Sequence, residues 1–357
     1  MKPLLLKQNL WIVMVLFAVC LLTYSNSLDN AFMMDDFALI VRNPAIGDSG
    51  FLQWNSLVSS QLSSQLTDVS NHIYFRPIAH SLISIGHALF GKAPYGYHVM
   101  DLVLFYLASV AVFFLTKTLF NEQVIAFVTS LLFAVHPFQG MMVNYITSSG
   151  YAVLIIAMCL SLQAMLICLK KDQGGSWYFL SLLFFGIALL CHETAVFLPF
   201  YAVCVYGCRA NPSEHKNGWV CAGFFILLFG YMIFRQNIAT LNGGFLDGLK
   251  GLNLTGSEYL ATVSSLVWQY LINIFLLRDI VLIWSSPLMN TNVLWRCTGI
   301  LSALMLSVGA IGFWRKSALS NALVWVWIGI GTLAVACFSR PALGLILQTH
   351  WLFFSTL

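Results

Sequence analysis

Nine stretches of this chain, near 9–28, 97–116, 123–137, 143–169, 177–191, 194–208, 218–234, 294–314 and 320–338, are apolar runs with hardly a charge among them. Each reaches or approaches the roughly 20 residues that a helix needs to cross a bilayer. Such a chain cannot fold around one core and show a polar face to water. Only 8% of its 357 residues are charged and 59% are apolar, against about 25% charge in an ordinary soluble domain. The expected fold class is therefore an all-α polytopic membrane protein, a bundle of about 9–10 transmembrane helices with amphipathic helices in its first outer loop. Most cytosolic enzymes, nucleic-acid readers and disordered scaffolds are excluded. A formal charge of +4 gives no reason to expect a polyanion or nucleic-acid partner.

The nine cysteines sit in or at the edge of apolar runs, with no CxxC pair and no metal-ligand spacing, and read as small apolar fillers. The first run follows Lys2 and Lys7 and lacks a small-residue cleavage site, so it reads as a retained helix rather than a signal peptide. The chain 1–357 reads as one membrane domain. With the N-terminus inside and 259–277 not crossing, Lys2, Lys7, Lys117, Lys170, Lys171, Arg209, Lys216, Arg315 and Lys316 all fall on the cytoplasmic side. This leaves outer loops at 29–96 and 235–293, with 259–277 re-entrant or lying along the boundary. Whether 342–357 spans is left open by its composition.

With charge so scarce, each ionised side chain on the outer side asks for a reason. Asp35 and Asp36 stand side by side just past the first span, in FMMDDFALI. Adjacent carboxylates raise one another's pKa, which suits a general base, and the same pair equally well ties a loop in place. Asp101 lies inside a span, and Glu193 follows His192 at the outer end of another; either suits an ion pair with an outer arginine or a direct ligand role. His136 and Pro137 close the third span. The polar strip Asn144, Tyr145, Thr147, Ser148 and Ser149 opens the fourth, at a spacing that can line a wet cavity. The GxSxG elbow, the HExxH zinc motif and the phosphate-cradling glycine loop are not found.

The segments DNAFMMDDFALIVRNPAI, YFRPIAHSLISIGHALFGKAPYGYHVMDLVLF, LLFAVHPFQGMMVNYITSS and LLCHETAVFLPF carry a resemblance. They look like the membrane region of the transmembrane and tetratricopeptide-repeat O-mannosyltransferases and their bacterial relatives, in the type C glycosyltransferase superfamily. The matching elements are Asp35 and Asp36; Tyr74, Arg76 and Pro77; Gly96, Tyr97 and His98; His136 and Pro137; Asn144 and Tyr145; and His192 and Glu193. The likeness is good over about 25–205, and no stretch reads as the helical-repeat domain. Three positions depart from the pattern: Met141 stands where the family often has Glu, Ser149 where it has Arg, and His192 where it has Lys.

The resemblance implies a transferase that moves a sugar from a polyprenyl-phosphate carrier to a protein or glycan acceptor on the outer face. Asp35 or Asp36 would be the base, and the other would orient the acceptor or a divalent cation. Arg76, Tyr74, His98, His136, Asn144, Tyr145, His192 and Glu193 would surround donor and acceptor. The lipid-linked sugar is the only cofactor-like group expected with any force. Membrane lipid and other membrane subunits are the expected partners, in a bacterial inner membrane with the active face periplasmic. The alternative is a non-catalytic relative serving as a subunit or assembly factor of a larger membrane complex.

Overall fold

The computed structural model describes residues 3–43, 46, 76–170, 174–209, 219–239, 283–284 and 347–348. The expectations for Tyr74, for the amphipathic helices in 53–71, for 259–277, for 342–357 apart from 347–348, and for the last two apolar runs lie outside the described residues. Two compact units are distinguished. One comprises Met1–Ala195, Tyr231–Asn242 and Leu357, and the other Val196–Gly230 and Gly243–Thr356.

In the first unit α1 (Pro3–Tyr24) leads into a 3-10 turn (Ser25–Asp29), and a π-helical turn (Phe37–Val41) follows the acidic pair. α2 (Pro77–Phe90) and α3 (Pro94–Phe120) each start on a proline, whose missing N–H is an orphan at a helix start in any case. α3 ends where Asn121 takes the left-handed conformation (φ 58°) and its N–H bonds the Lys117 carbonyl. α4 (Gln123–Val135) stops at His136, because Pro137 cannot extend the ladder. A 3-10 turn (Pro137–Gly140), the four-residue α5 (Met141–Asn144) and a second 3-10 turn (Ile146–Ser148) then lead into α6 (Gly150–Lys170). α7 (Gly174–Cys191) returns along α6 and gives way to a 3-10 turn (Glu193–Phe197).

α8 (Leu198–Arg209) and the first part of α9 (Trp219–Ala239) belong to the second unit, where Phe200 packs edge-on against Phe225 at 5.6 Å. From Tyr231 onward α9 belongs to the first unit. A two-residue antiparallel pairing, Ile283–Trp284 with Leu347–Gln348, is the one departure from helix among the described residues.

Three of these helices are long and apolar enough to cross a membrane: Asn9–Asp29, Pro94–Phe120 and Ile146–Leu169. Gln123–Val135 with Pro137–Asn144 makes a fourth if the pair, bent by 55°, is one span. The apolar side chains left exposed, such as Leu22 on α1, Leu132 on α4 and Ile226 on α9, suit a hydrocarbon solvent. The chain is thus an all-α polytopic membrane protein.

Packing in the first unit is close. Ile12 and Leu16 of α1 meet Phe113 and Ala126. Ile40, Ile83, Tyr97 and Ile146 form a second buried group, which fastens the segment after the acidic pair to α2, α3 and the start of the α6 span. A Cβ on Gly86 would strike the Tyr97 ring, so the helix contact depends on that glycine. Ser161 and Ser181 each donate a 2.8 Å hydrogen bond to the other's carbonyl and pin α6 to α7. Lys117 donates to Asn9 at 2.7 Å, which fixes the end of α3 beside the start of α1. The alternating run of these helices carries the acidic loop, the starts of α2, α3 and α6 and the ends of α4 and α7 to the opposite end of the unit.

Candidate functional site

Two polar clusters form at that end. The first is built on the acidic pair, whose members have opposite environments: Asp35 is exposed and Asp36 is fully buried. The oxygens of Asp36 are taken up by three donors. Oδ1 accepts from the Thr147 N–H (2.9 Å) and the Thr147 hydroxyl (2.6 Å), and Oδ2 from the Met33 N–H (3.1 Å). Burial pushes the Asp36 carboxyl up, and the bonds from Thr147 and Met33 work against that rise. The loop is tied a second time by Asn30, which donates to the Asn144 side chain at 2.9 Å, while Asn144 in turn donates to the Gly140 carbonyl. Asp35 interacts with Tyr145. The segment Asn144–Thr147 is therefore a docking strip for the whole acidic turn.

Nothing at the sequence level pairs Asp36 with Thr147, which lies 111 residues away. Met34, just before the pair, takes a left-handed backbone conformation (φ 46°). For a non-glycine residue this is strained, and it sharpens the turn that separates the two carboxylates.

The second cluster is an ion clamp. Glu193, buried at the start of its 3-10 turn, accepts from Arg76 Nε at 2.9 Å and from Arg235 Nη2 at 2.8 Å. Arg235 also donates to the Tyr231 hydroxyl at 3.4 Å. His192 Nε2 stands 3.4 Å from Glu193 and 2.7 Å from the Tyr151 hydroxyl. Its Nδ1 accepts from the Thr194 N–H, so in the neutral ring Nε2 carries the hydrogen. Burial alone would raise the Glu193 carboxyl, but the charges of Arg76, His192 and Arg235 outweigh it and hold the group well below the usual carboxylate range. Two arginines and His192 thus converge on one glutamate.

His136 Nδ1 accepts from the Phe138 N–H at 3.2 Å and so caps the turn after α4. Tyr24 donates to its carbonyl at 3.4 Å. His98 is fully buried, with Nδ1 3.0 Å from the Val143 carbonyl. Of the residues singled out by sequence, Asp36, Asn144 and Tyr145 thus share one cluster with Asp35. Arg76, His192 and Glu193 share the other, and His98 and His136 brace the chain beneath and beside the docking strip. Arg235 completes the clamp. Its sequence signal was only a basic residue outside the orientation pattern. For a divalent ion the fit is poor: both oxygens of Asp36 are already engaged, and among the described residues no three His, Cys, Asp or Glu side chains are grouped to hold a metal.

Residues 76–234, from the clamp arginine to the end of the described apolar helices, match the family described as dolichyl-phosphate-mannose-protein mannosyltransferase. That match covers less than half of the chain and supports the resemblance to the type C glycosyltransferase membrane region. It is similar to a mouse protein named protein O-mannosyl-transferase TMTC1, 31% identical over 217 residues, which covers 56% of this chain and 22% of the relative. A Caenorhabditis elegans protein O-mannosyl-transferase, F38B6.6, is 26% identical over 57% of this chain and 30% of its own length. The Drosophila melanogaster protein O-mannosyl-transferase Tmtc1 is 28% identical over 50% and 21%. The chain spans less than a third of the length of these relatives. All three are animal proteins, so the multi-pass membrane placement stands while the bacterial inner membrane gains no support from them. No solved structure matches.

Proposed function

We propose that this membrane region transfers mannose from a polyprenyl-phosphate carrier to a hydroxyl of a protein acceptor, at the membrane face that bears the acidic loop. The observation that carries the reading is the division of labour within the acidic pair. Asp36 is buried and held by three donors, and this presents Asp35, exposed, at the end of the unit where the Arg76–Glu193–Arg235 clamp also lies. Asp35 takes the proton of the acceptor hydroxyl as its oxygen bonds to the sugar C1. The C1–O bond to phosphate breaks, and the charge that develops on the leaving lipid phosphate is met by guanidinium N–H donors of the clamp. Arginine suits this task, because its planar guanidinium presents several donors to phosphate oxygens. Asp36 is a positioning residue, and Asn144, Tyr145 and Thr147 hold the loop that carries the pair. The face is extracytoplasmic if the basic short loops are inside, and no divalent ion is assigned a step.

Purified protein in liposomes with labelled polyprenyl-phosphate mannose and acceptor peptides tests this. Transfer by the unaltered chain and its loss in Asp35→Asn support the reading; absence of both transfer and carrier binding in the unaltered chain overturns it. One observation favours the non-catalytic alternative. Ser149, which stands where the resembling family has arginine, is buried and its hydroxyl has no hydrogen-bond partner among the described residues. Under that reading the chain co-purifies in fixed ratio with other membrane subunits and transfers nothing.

A further inference from the structure

The two clusters are joined through one short stretch of chain. Thr147, which holds Asp36, and Tyr151, which touches the clamp, stand four residues apart at the start of the Ile146–Leu169 span, about one helical turn. The backbone around them is tied by Ser148 N–H donating to the Tyr145 carbonyl (2.9 Å), Ser149 N–H to Ile146 (3.0 Å) and Ala152 N–H to Ser149 (3.1 Å). Both residues are therefore carried by one hydrogen-bonded turn.

Two contacts fasten this turn to the clamp. The first is polar. The Tyr151 hydroxyl lies 2.7 Å from His192 Nε2, the ring centroids are 4.4 Å apart, and both side chains are buried. His192 Nδ1 accepts from the Thr194 N–H at 3.2 Å, with the Thr194 hydroxyl 3.1 Å away. In the neutral ring the hydrogen is on Nε2 and is donated to the Tyr151 oxygen. One imidazole thus caps the 3-10 turn that carries Glu193 and ties that turn to α6. The second contact is steric. A Cβ added to Gly150 would lie 2.7 Å from the Ala79 Cβ and 3.3 Å from its Cα. Ala79 is in the first turn of α2, three residues past Arg76. The bare Gly150 backbone therefore sets how near the arginine end of α2 comes to the strip that holds Asp36.

We propose that Gly150 and Tyr151, in the first turn of α6, are positioning residues that set the distance from the acidic pair to the Arg76–Glu193–Arg235 clamp. A step in which a base on one side and guanidinium donors on the other act on one sugar phosphate depends on that distance, and a misplacement of about 1 Å can cost about 10²-fold. The catalytic consequence rests on the transferase reading; the two contacts do not.

Thermal unfolding of the full chain in nanodiscs tests the contacts as two double-mutant cycles. Tyr151→Phe keeps the ring and removes the hydroxyl, while His192→Asn keeps an acceptor for the Thr194 N–H and withdraws the Nε2 donor. Tyr151→Phe should lower the melting temperature of the otherwise unaltered chain and leave that of the His192→Asn chain nearly as it was. Gly150→Ala should lower it as well, and adding Ala79→Gly should restore part of the loss. Additive losses in either cycle overturn the proposal. Should Gly150→Ala fail to fold, recovery of folded chain on adding Ala79→Gly takes the place of the melting curve, and no recovery overturns it.

Transfer from labelled polyprenyl-phosphate mannose to acceptor peptides supplies a readout that a merely structural role would not move. Folded Tyr151→Phe should lose kcat by about 10- to 100-fold with KM for the carrier unchanged. An unchanged kcat, or a loss confined to KM, overturns the positioning role. If the unaltered chain transfers nothing, the transferase reading falls and the two cycles still judge the spacer.

Discussion

Asp36 and Glu193 are both buried carboxylates at the same end of one unit, and burial alone raises the proton affinity of both. Only Glu193 ends below the ordinary carboxylate range. Its partners are full positive charges, whereas the partners of Asp36 are a hydroxyl and two backbone N–H groups. Neutral donors satisfy the lone pairs of a carboxylate, and charged donors also repay its desolvation. One cluster is thus organised to place a second, exposed acid, and the other to keep two cations together around one anion.

The largest expected departure between the two is in activity. Replacing Asp35 with Asn should reduce mannosyl transfer by about 10²- to 10⁴-fold, the range for loss of a general base, and leave the melting temperature unchanged, because Asp35 is exposed. Loss of stability in that variant would show that Asp35 ties the loop as Asp36 does.

Next comes the clamp. Glu193→Gln leaves Arg76 and Arg235 facing each other across a neutral amide and should cost about 3 kcal/mol, read by denaturant unfolding in detergent. The sign with pH follows from the lowered carboxyl. Its stabilisation is complete above the ordinary carboxylate range and is lost progressively as pH falls from that range to the depressed value, so the unaltered protein should lose melting temperature with acid below about pH 5 more steeply than a protein whose Glu is unshifted. Glu193→Gln should flatten that acid limb.

Asp36→Asn should have a smaller net effect on stability. It removes a charge whose burial is costly, and it also weakens three hydrogen bonds that together hold the loop. Because this carboxyl is raised, its ionisation cost sets in above the ordinary Asp value and is fully present once pH exceeds the raised one. The variant should therefore compare best with the unaltered protein at neutral pH and worst in acid, while transfer drops through misplacement of Asp35. Thr147→Val, which removes the hydroxyl donor and keeps the backbone one, should cost about 1.5–3 kcal/mol, the range for a hydrogen bond to a charged group. An unchanged melting temperature in Thr147→Val would place the anchoring elsewhere.

How much of this was legible in the sequence differs between the clusters for a physical reason. The apolar runs, the proline-started helices and the His136–Pro137 stop are local features, and local features show in a single chain. The acidic pair and the His192–Glu193 pair stood out because charge is so scarce around them. The partners did not. Thr147 is an ordinary hydroxyl until helix packing sets it against Asp36, and Arg235 is one of several cations outside the orientation pattern until α9 brings it to Glu193. His98 illustrates the reverse case. Its motif stood out in the sequence, while the register of α3 that turns it inward against Val143 did not.

The clamp also bears on how the chain is assembled during synthesis. Arg76 is made 117 residues before Glu193, and Arg235 is made 42 residues after it. Glu193 is therefore made after one of its arginines and before the other. Until α9 emerges and delivers Arg235, the nascent bundle holds a buried acid with incomplete compensation. A chain halted before that helix should then be the form most readily recognised as unfinished by membrane quality control.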